Sequence, residues 1–364
     1  MRPEAQHAWE DTYSTDGVGR PLAPRFHTLV MLDVIRTPSP VDAEQLERGL
    51  CGLEDRHPHG PAGLLMLLAW GPGYYARHTE IAAPVTAPVP LARGEHAALQ
   101  DIDACLHLAS DDEERLDDTV AALLDARVAC LGDPLRVREV RTGCVGPGLA
   151  SRAAGAAVAG VPPGSPLLLG FHSGLRRNQA TEAEITIADG PLAGGTTMHV
   201  SRINLDLDRW YEQDAARRAG LMYAPTVTPL QAALFTDDAT ADFERLPATA
   251  RRHGMVGHAQ AAARARLDGR PRINRRDFVT FDHGIPGTHF VSLQRSLEDF
   301  NATRAVMNAA DAAHHHPAVG SRANNGINAF MEVAGRATFA VPPRSQRAYP
   351  GRGSASIGDV SKAA

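Results

Sequence analysis

The chain has 364 residues, 43% hydrophobic and 22% charged, with Lys+Arg 37 against Asp+Glu 42 and a net charge of −5. That balance lacks the basic excess that settles on a phosphate backbone, so nucleic acid is not an expected partner. No apolar run approaches the ~20 residues that span a bilayer, so no membrane-spanning helix is expected, while the length suffices for one large or two ordinary cores.

Phe26 to Asp33 reads as a strand, and Pro40-Val41-Asp42 opens a helix that sets Leu46, Leu50 and Leu53 on one face. Leu64 to Trp70 is a buried strand ended by Gly71-Pro72-Gly73, and Ala104 to Ala109 is another. Ser110-Asp111-Asp112-Glu113 has the spacing of a capping box ahead of Leu116, Val120, Leu123 and Leu124, and Leu135 to Val145 closes the series. This order is a ferredoxin-like βαββαβ unit, with helices on one face of an antiparallel sheet. Residues 1–147 are assigned to it.

The small-residue stretch 148–164 reads as a linker. Residues 165–345 repeat the grammar more loosely. They carry a strand over Met198 to Asp206, a helix after Trp210 and a strand over His289 to Leu293. A helix over Arg295 to Met307 follows, with Leu297, Phe300, Ala305 and Val306 in register, and Arg336 to Val341 is a last strand. The tail from Pro342, and residues 346–364 in particular, is expected to be mobile. The fold class is thus α+β with two ferredoxin-like domains, antiparallel sheets and peripheral helices.

Cys51, Cys105, Cys130 and Cys144 show neither C-x-x-C nor C-x-x-C-H spacing, so they read as small buried apolar residues. His314-His315-His316 cannot converge on one ion and reads as surface. Asn324-Asn325-Gly326-Ile327 has turn chemistry. Met1 to His7 shows no charged region followed by an apolar one and no twin arginine. A cytoplasmic protein is expected, with export of a longer precursor left open.

Two stretches carry chemistry together: Gly170-Phe171-His172-Ser173-Gly174-Leu175-Arg176-Arg177-Asn178, and Gly257-His258 followed by Arg272-Ile273-Asn274-Arg275-Arg276. The first resembles the distal GxxDG loop of the dye-decolourising peroxidases, and the second their proximal histidine and distal arginine. Gly194 to Trp210 is similar to the family's GG(S/T) strand and D-x-x-x-W helix start. Trp70 to Tyr75 resembles its GFGP turn, Ile102 to Asp112 its DLLLQIxADDP segment, and His289 to Gln294 its late LLFxxxQ strand. These pieces occur in the family's order over residues 24–308. The resemblance implies the dimeric α+β barrel superfamily, a haem b cofactor, and hydrogen peroxide and a small organic molecule as partners. Relatives commonly assemble as homo-oligomers.

Carried over residue by residue, the resemblance makes His258 the axial ligand of the haem iron; a neutral imidazole donates to iron and leaves the sixth position open. Arg275 matches the distal arginine, whose guanidinium stays protonated and stabilises developing negative charge. Arg276 is the neighbour with the second claim, and a solvated basic patch of Arg270, Arg272, Arg275 and Arg276 is the plain alternative. Gly174 and Asn178 fall at cofactor-facing positions of the loop. Asp277 stands two places beyond Arg275, where relatives carry a polar pocket residue.

Ser173 departs from the pattern, because it stands where the family has its distal aspartate. A serine hydroxyl cannot act as a resting base near neutral pH, which leaves His172 as an adjacent candidate base. The reading is a specialised haem peroxidase or peroxygenase rather than a general dye peroxidase. A non-catalytic haem-binding protein for transport or sensing is the alternative, and a pocket that takes some other ligand is a third.

Overall fold

A computed structural model describes residues 2–17, 21–125, 131–155, 158–172, 179–235 and 245–352. Its first half is built from strand β1 (Phe26–Val34), helix α1 (Pro40–Asp55), β2 (Leu65–Trp70), β3 (Ala104–Ser110), α2 (Glu113–Leu124) and β4 (Leu135–Cys144). The antiparallel pairings run β4-β1-β3-β2, the strand order of a ferredoxin-like unit. Its second half uses β5 (Thr196–Leu205), α3 (His258–Ala262), β6 (Phe278–Thr280), β7 (Gly287–Gln294), α4 (Leu297–Met307) and β8 (Met331–Val341). These strands run β8-β5-β7-β6, the same order again.

The two units join at both edges. Val279 of β6 pairs with Cys144 of β4, and Ala340 of β8 pairs with Trp70 of β2. The eight strands therefore close into one antiparallel barrel, which leaves neither unit a free sheet edge there. Closure explains the composition of the strands: β1 to β3 are apolar along almost their whole length because one face turns into the barrel and the other lies under helices. Leu29, Met31, Leu65, Leu67, Val291 and Phe339 fill the interior, as side chains do in an eight-stranded barrel. Val30, Leu32, Met66 and Leu68 face outward, in one core with Leu46, Leu50 and Leu53 of α1.

Local signals account for the helix starts. Ser39 and Asp42 form a reciprocal capping box at α1, with Pro40 in the first turn. At α2 the cap is Asp112, which accepts from the Arg115 backbone N–H at 3.2 Å, and not Ser110. Ser110 ends β3, and its hydroxyl donates to the Gly63 carbonyl at 2.7 Å. Leu116 and Leu123 are buried but Leu124 is exposed. In α4 the inward face is Leu297, Phe300 and Thr303, and Ala305 points to solvent, because the turn from Phe300 brings positions 303 and 304 inward.

The stretch read as a linker contains a helix, Leu149–Ala154, with Leu149, Ala150 and Ala154 buried. The start of the tail is also packed: Arg347 is fully buried and held by Glu47 and Glu54, and Tyr349 packs on Trp70. Small residues and prolines there serve close packing rather than mobility. Residues 353–364 lie outside the described residues, as does Cys130; Cys105 and Cys144 are buried and Cys51 is half-buried. Among the described residues no group of His, Cys, Asp and Glu could hold a metal ion, and no helix is long and apolar enough to cross a membrane.

The barrel interior also holds two hydrogen-bonded imidazoles, His27 and His107. His27 Nε2 faces the Pro24 carbonyl at 3.0 Å and must donate to it, so His27 Nδ1 accepts from His107 Nε2, also at 3.0 Å. Protonating His27 would set two donors against each other. Burial pushes the His27 pKa down to about 4 and that of His107 well below its usual value. Unfolded, both take up protons near pH 6.5; folded, they do not, so their neutral state favours folding fully above pH 6.5 and this support is lost as pH falls toward 4. Stability of the parent should accordingly fall more steeply than that of His107→Phe over this window, by up to about 1.4 kcal/mol per pH unit. Urea unfolding at stepped pH measures both slopes, and equal slopes would refute the protonation argument.

Candidate active site

The strand that carries β6 begins earlier, at Asn274–Arg275, and keeps one register on β7: Arg275 opposes Ser292 and Phe278 opposes His289. Side chains alternate along a strand, so Asn274, Arg276 and Phe278 turn one way and Arg275 and Asp277 the other. Arg276 lies inside the barrel, over the Trp9 ring at 3.8 Å and paired with Glu182 at 2.6 Å. Arg276 therefore does not line the cavity that Arg275 faces. The basic-patch reading fails with it, since Arg272 is tied to Asp299 at 3.1 Å and only Arg270 of the four is largely exposed.

Arg275 and Asp277 face a cavity on the outer side of the second unit, about 960 Å3 of space not filled by protein, its open mouth included. Its walls are mainly apolar: Leu167 to Leu169 and Phe171 from the segment that leads into residue 172, Leu205 of β5, Phe290 of β7, Phe300 and Met307 of α4, and Met331 and Val333 of β8. His258, Arg304 and Arg336 line it too.

His258 is the first residue of α3, half-buried at the cavity wall. Gly257 places it: a Cβ there would lie 2.0 Å from the Tyr223 carbonyl oxygen, so only glycine lets the helix start this close. The Gln260 side chain accepts from the Gly257 N–H at 3.2 Å and donates to Thr249 at 2.9 Å, which fixes the turn. Neither ring nitrogen of His258 has a hydrogen-bond partner among the described residues. Burial, with Arg275 and then Arg304 nearby, pushes its pKa down to about 3, so the ring is neutral at any working pH.

Arg275 is anchored through its backbone N–H, which donates to Gln179 Oε1 at 2.9 Å, and its guanidinium lies 3.8 Å from the Asp277 carboxylate. Burial raises the Asp277 pKa to about 6 even beside Arg275. Arg336 is buried and bound by Glu95, with a 2.8 Å contact, and also donates to Ser201 at 2.8 Å. His199 stacks on Phe300 at 3.6 Å between ring centres. Arg304, from α4, has its pKa pushed down to about 10 by burial and then by Arg336.

Three of the residues singled out from the sequence, His258, Arg275 and Asp277, thus meet at one cavity. His172 does not line it: its carbonyl accepts from the Tyr223 hydroxyl at 2.7 Å. Ser173, Gly174 and Asn178 lie outside the described residues. Trp210 and Tyr223 are core residues, with the Trp210 indole donating to the Leu169 carbonyl. Sequence reading missed Glu95, Arg304 and Arg336. Glu95 comes from the loop between β2 and β3 of the other unit, more than 200 positions from Arg336, and no local pattern marks it.

The sequence pattern of a family of unknown function (DUF7405) matches residues 24–343. The chain belongs to that family. No curated protein matches it. Solved structures do: a DyP-type peroxidase from Streptomyces coelicolor aligns at a TM-score of 0.64 and 19% identity, over 92% of this chain and 93% of that one. One from Cellulomonas bogoriensis gives 0.61 and 23%, over 88% and 90%. A DypB variant of Rhodococcus jostii, in complex with heme, gives 0.58 and 15%, over 94% and 98%. The chain therefore has the DyP-type peroxidase fold.

The Arg336–Glu95 pair is the electrostatic link between the two units at the cavity. Removing the cation strands a buried carboxylate, so Arg336→Met should cost roughly 3–5 kcal/mol, much of it recovered when Glu95→Gln is added. Denaturant unfolding of the two variants checks this, and a single variant as stable as the parent would contradict it.

Proposed function

We propose that this chain is a haem b oxidoreductase that uses hydrogen peroxide on a small organic molecule. The observation that carries the reading is the convergence of His258, Arg275 and Asp277 on one largely apolar cavity in a DyP-type peroxidase fold. Solved structures with this fold include DyP-type peroxidases, and one is in complex with heme.

The residues present fit such a group. A haem needs an apolar slot, cations for its two carboxylates and one free neutral imidazole. The cavity has leucine, phenylalanine and methionine walls and the Arg304 cation at its lining, while the Arg336 guanidinium there is already matched by Glu95. His258 has no ring hydrogen bond among the described residues, and its ring is already neutral, with a nitrogen lone pair for iron. Bound there, haem iron supplies the redox chemistry with peroxide. The chain's own residues do the rest: His258 holds the iron from α3, the apolar walls exclude bulk water, and Arg275 offers a fixed positive charge to an anionic oxygen. The guanidinium needs no reorganisation, since its backbone is pinned at both Gln179 and β7.

Ser173 in place of the family's distal aspartate supports a specialised activity over general dye oxidation, because the loop brings no carboxylate of its own. A binding-only protein would take up haem yet leave peroxide unconsumed, and this separates the two readings.

His258→Ala should lose the Soret absorbance of haem-supplemented protein while keeping the parent's far-ultraviolet circular dichroism; a full Soret band at the parent's position would remove His258 as the ligand. Arg275→Leu should keep haem but react with peroxide about 100-fold more slowly, in line with a lost charge-assisted donor. Stopped-flow absorbance reads that rate, and an unchanged value would take the role away from Arg275.

A further inference from the structure

The cavity does contain a carboxylate, although residue 173 does not provide one. Asp277 is the one acidic side chain lining it among the described residues. It stands two places from Arg275 on the same strand, hence on the same face, with 3.8 Å between carboxylate and guanidinium. Its Oδ1 is buried without a hydrogen-bond partner among the described residues. A buried carboxylate oxygen left in this state is costly unless a ligand completes it. The other charged or titratable groups lining the cavity are His258 on α3, Arg304 on α4, Arg336 on β8 and Arg275 itself.

We propose that Asp277 is the proton acceptor of this site, taking over the task that the serine at 173 cannot perform. The inference rests on the peroxide reading above. Hydrogen peroxide placed between the two side chains loses one O–H proton to an Asp277 carboxylate oxygen: that O–H bond breaks, a carboxyl O–H bond forms, and the hydroperoxide anion stays beside the Arg275 guanidinium. No electron moves in this step. The outward face of the strand from Asn274 to Thr280 is thereby given a reason to carry Arg275 and Asp277 two places apart, one for the anion and one for the proton.

Burial supports the assignment, because it holds the Asp277 pKa up at about 6, where an ionised base and a protonated product are both accessible near neutrality. His258 stays neutral down to about pH 3. Among the described residues lining the cavity, Asp277 is the one carboxyl, and it changes charge near pH 6. The reaction with peroxide should fall on the acid side with a midpoint near 6, since protonation removes the base.

The test uses haem-loaded parent, Asp277→Asn, Asp277→Ser and His172→Gln, with haem content and melting temperature measured for each. Peroxide-induced change of the Soret band is followed from pH 5 to 8, and difference infrared spectra between pH 5 and 7.5 report a protonated carboxyl. Expected are an acid limb near pH 6 in the parent and in His172→Gln, and a rate at least about 100-fold lower without that limb in either Asp277 variant. A carboxyl C=O band should be present in the parent and absent in Asp277→Asn. An Asp277 variant that holds haem and matches the parent's rate and profile overturns the proposal, as does transfer of the acid limb to His172. A parent that takes up no haem fails the peroxide reading itself, a result distinct from either.

Discussion

Closure of the barrel is the constraint on which the rest depends. Single residue pairs, Val279 with Cys144 and Ala340 with Trp70, join two ferredoxin-like sheets edge to edge. Once closed, every strand has an inside and an outside, and a shift of one residue would exchange them along its whole length. The segment Asn274 to Thr280 shows the consequence. Its inward residues, Arg276 and Phe278, serve the interior with Trp9 and His27, and its outward residues, Arg275 and Asp277, serve the cavity.

The cavity's electrostatics follow from which charges are neutralised within the chain. Arg336 is matched by Glu95, and Arg276 by Glu182 on the other side of the sheet. Arg275 and Arg304 contribute to depressing His258, while among the described residues only Asp277 opposes them at the lining. The result is a site with net positive character, a neutral imidazole and one poised carboxylate. Such an arrangement suits anionic oxygen species and a cofactor carrying carboxylates, and it needs both units, because Glu95 crosses from the first to the second.

Much of the fold was legible because its signals are local. Leu46, Leu50 and Leu53 recur at helical spacing, Ser39 and Asp42 sit at capping distance, and β1 to β3 are apolar runs of strand length. Signals failed where packing outweighed composition. Leu149–Ala154 and the Arg347–Tyr349 segment look like linker and tail, yet both bury side chains against the barrel's outer core, and Arg347 ion-pairs with α1. The cap at α2 also moved, to Asp112, because Ser110 was already committed to the end of β3.

By itself, the sequence determined the order of strands and helices and the presence of His258 and Arg275 in a recognisable spacing, since periodicity and short motifs are written within a few residues. Only the tertiary structure decided that Arg275 and not Arg276 faces the cavity, that Asp277 shares it, and that Glu95 neutralises Arg336. Those outcomes depend on register and on which distant loops the closed barrel brings together, and neither is encoded in any local stretch of chain.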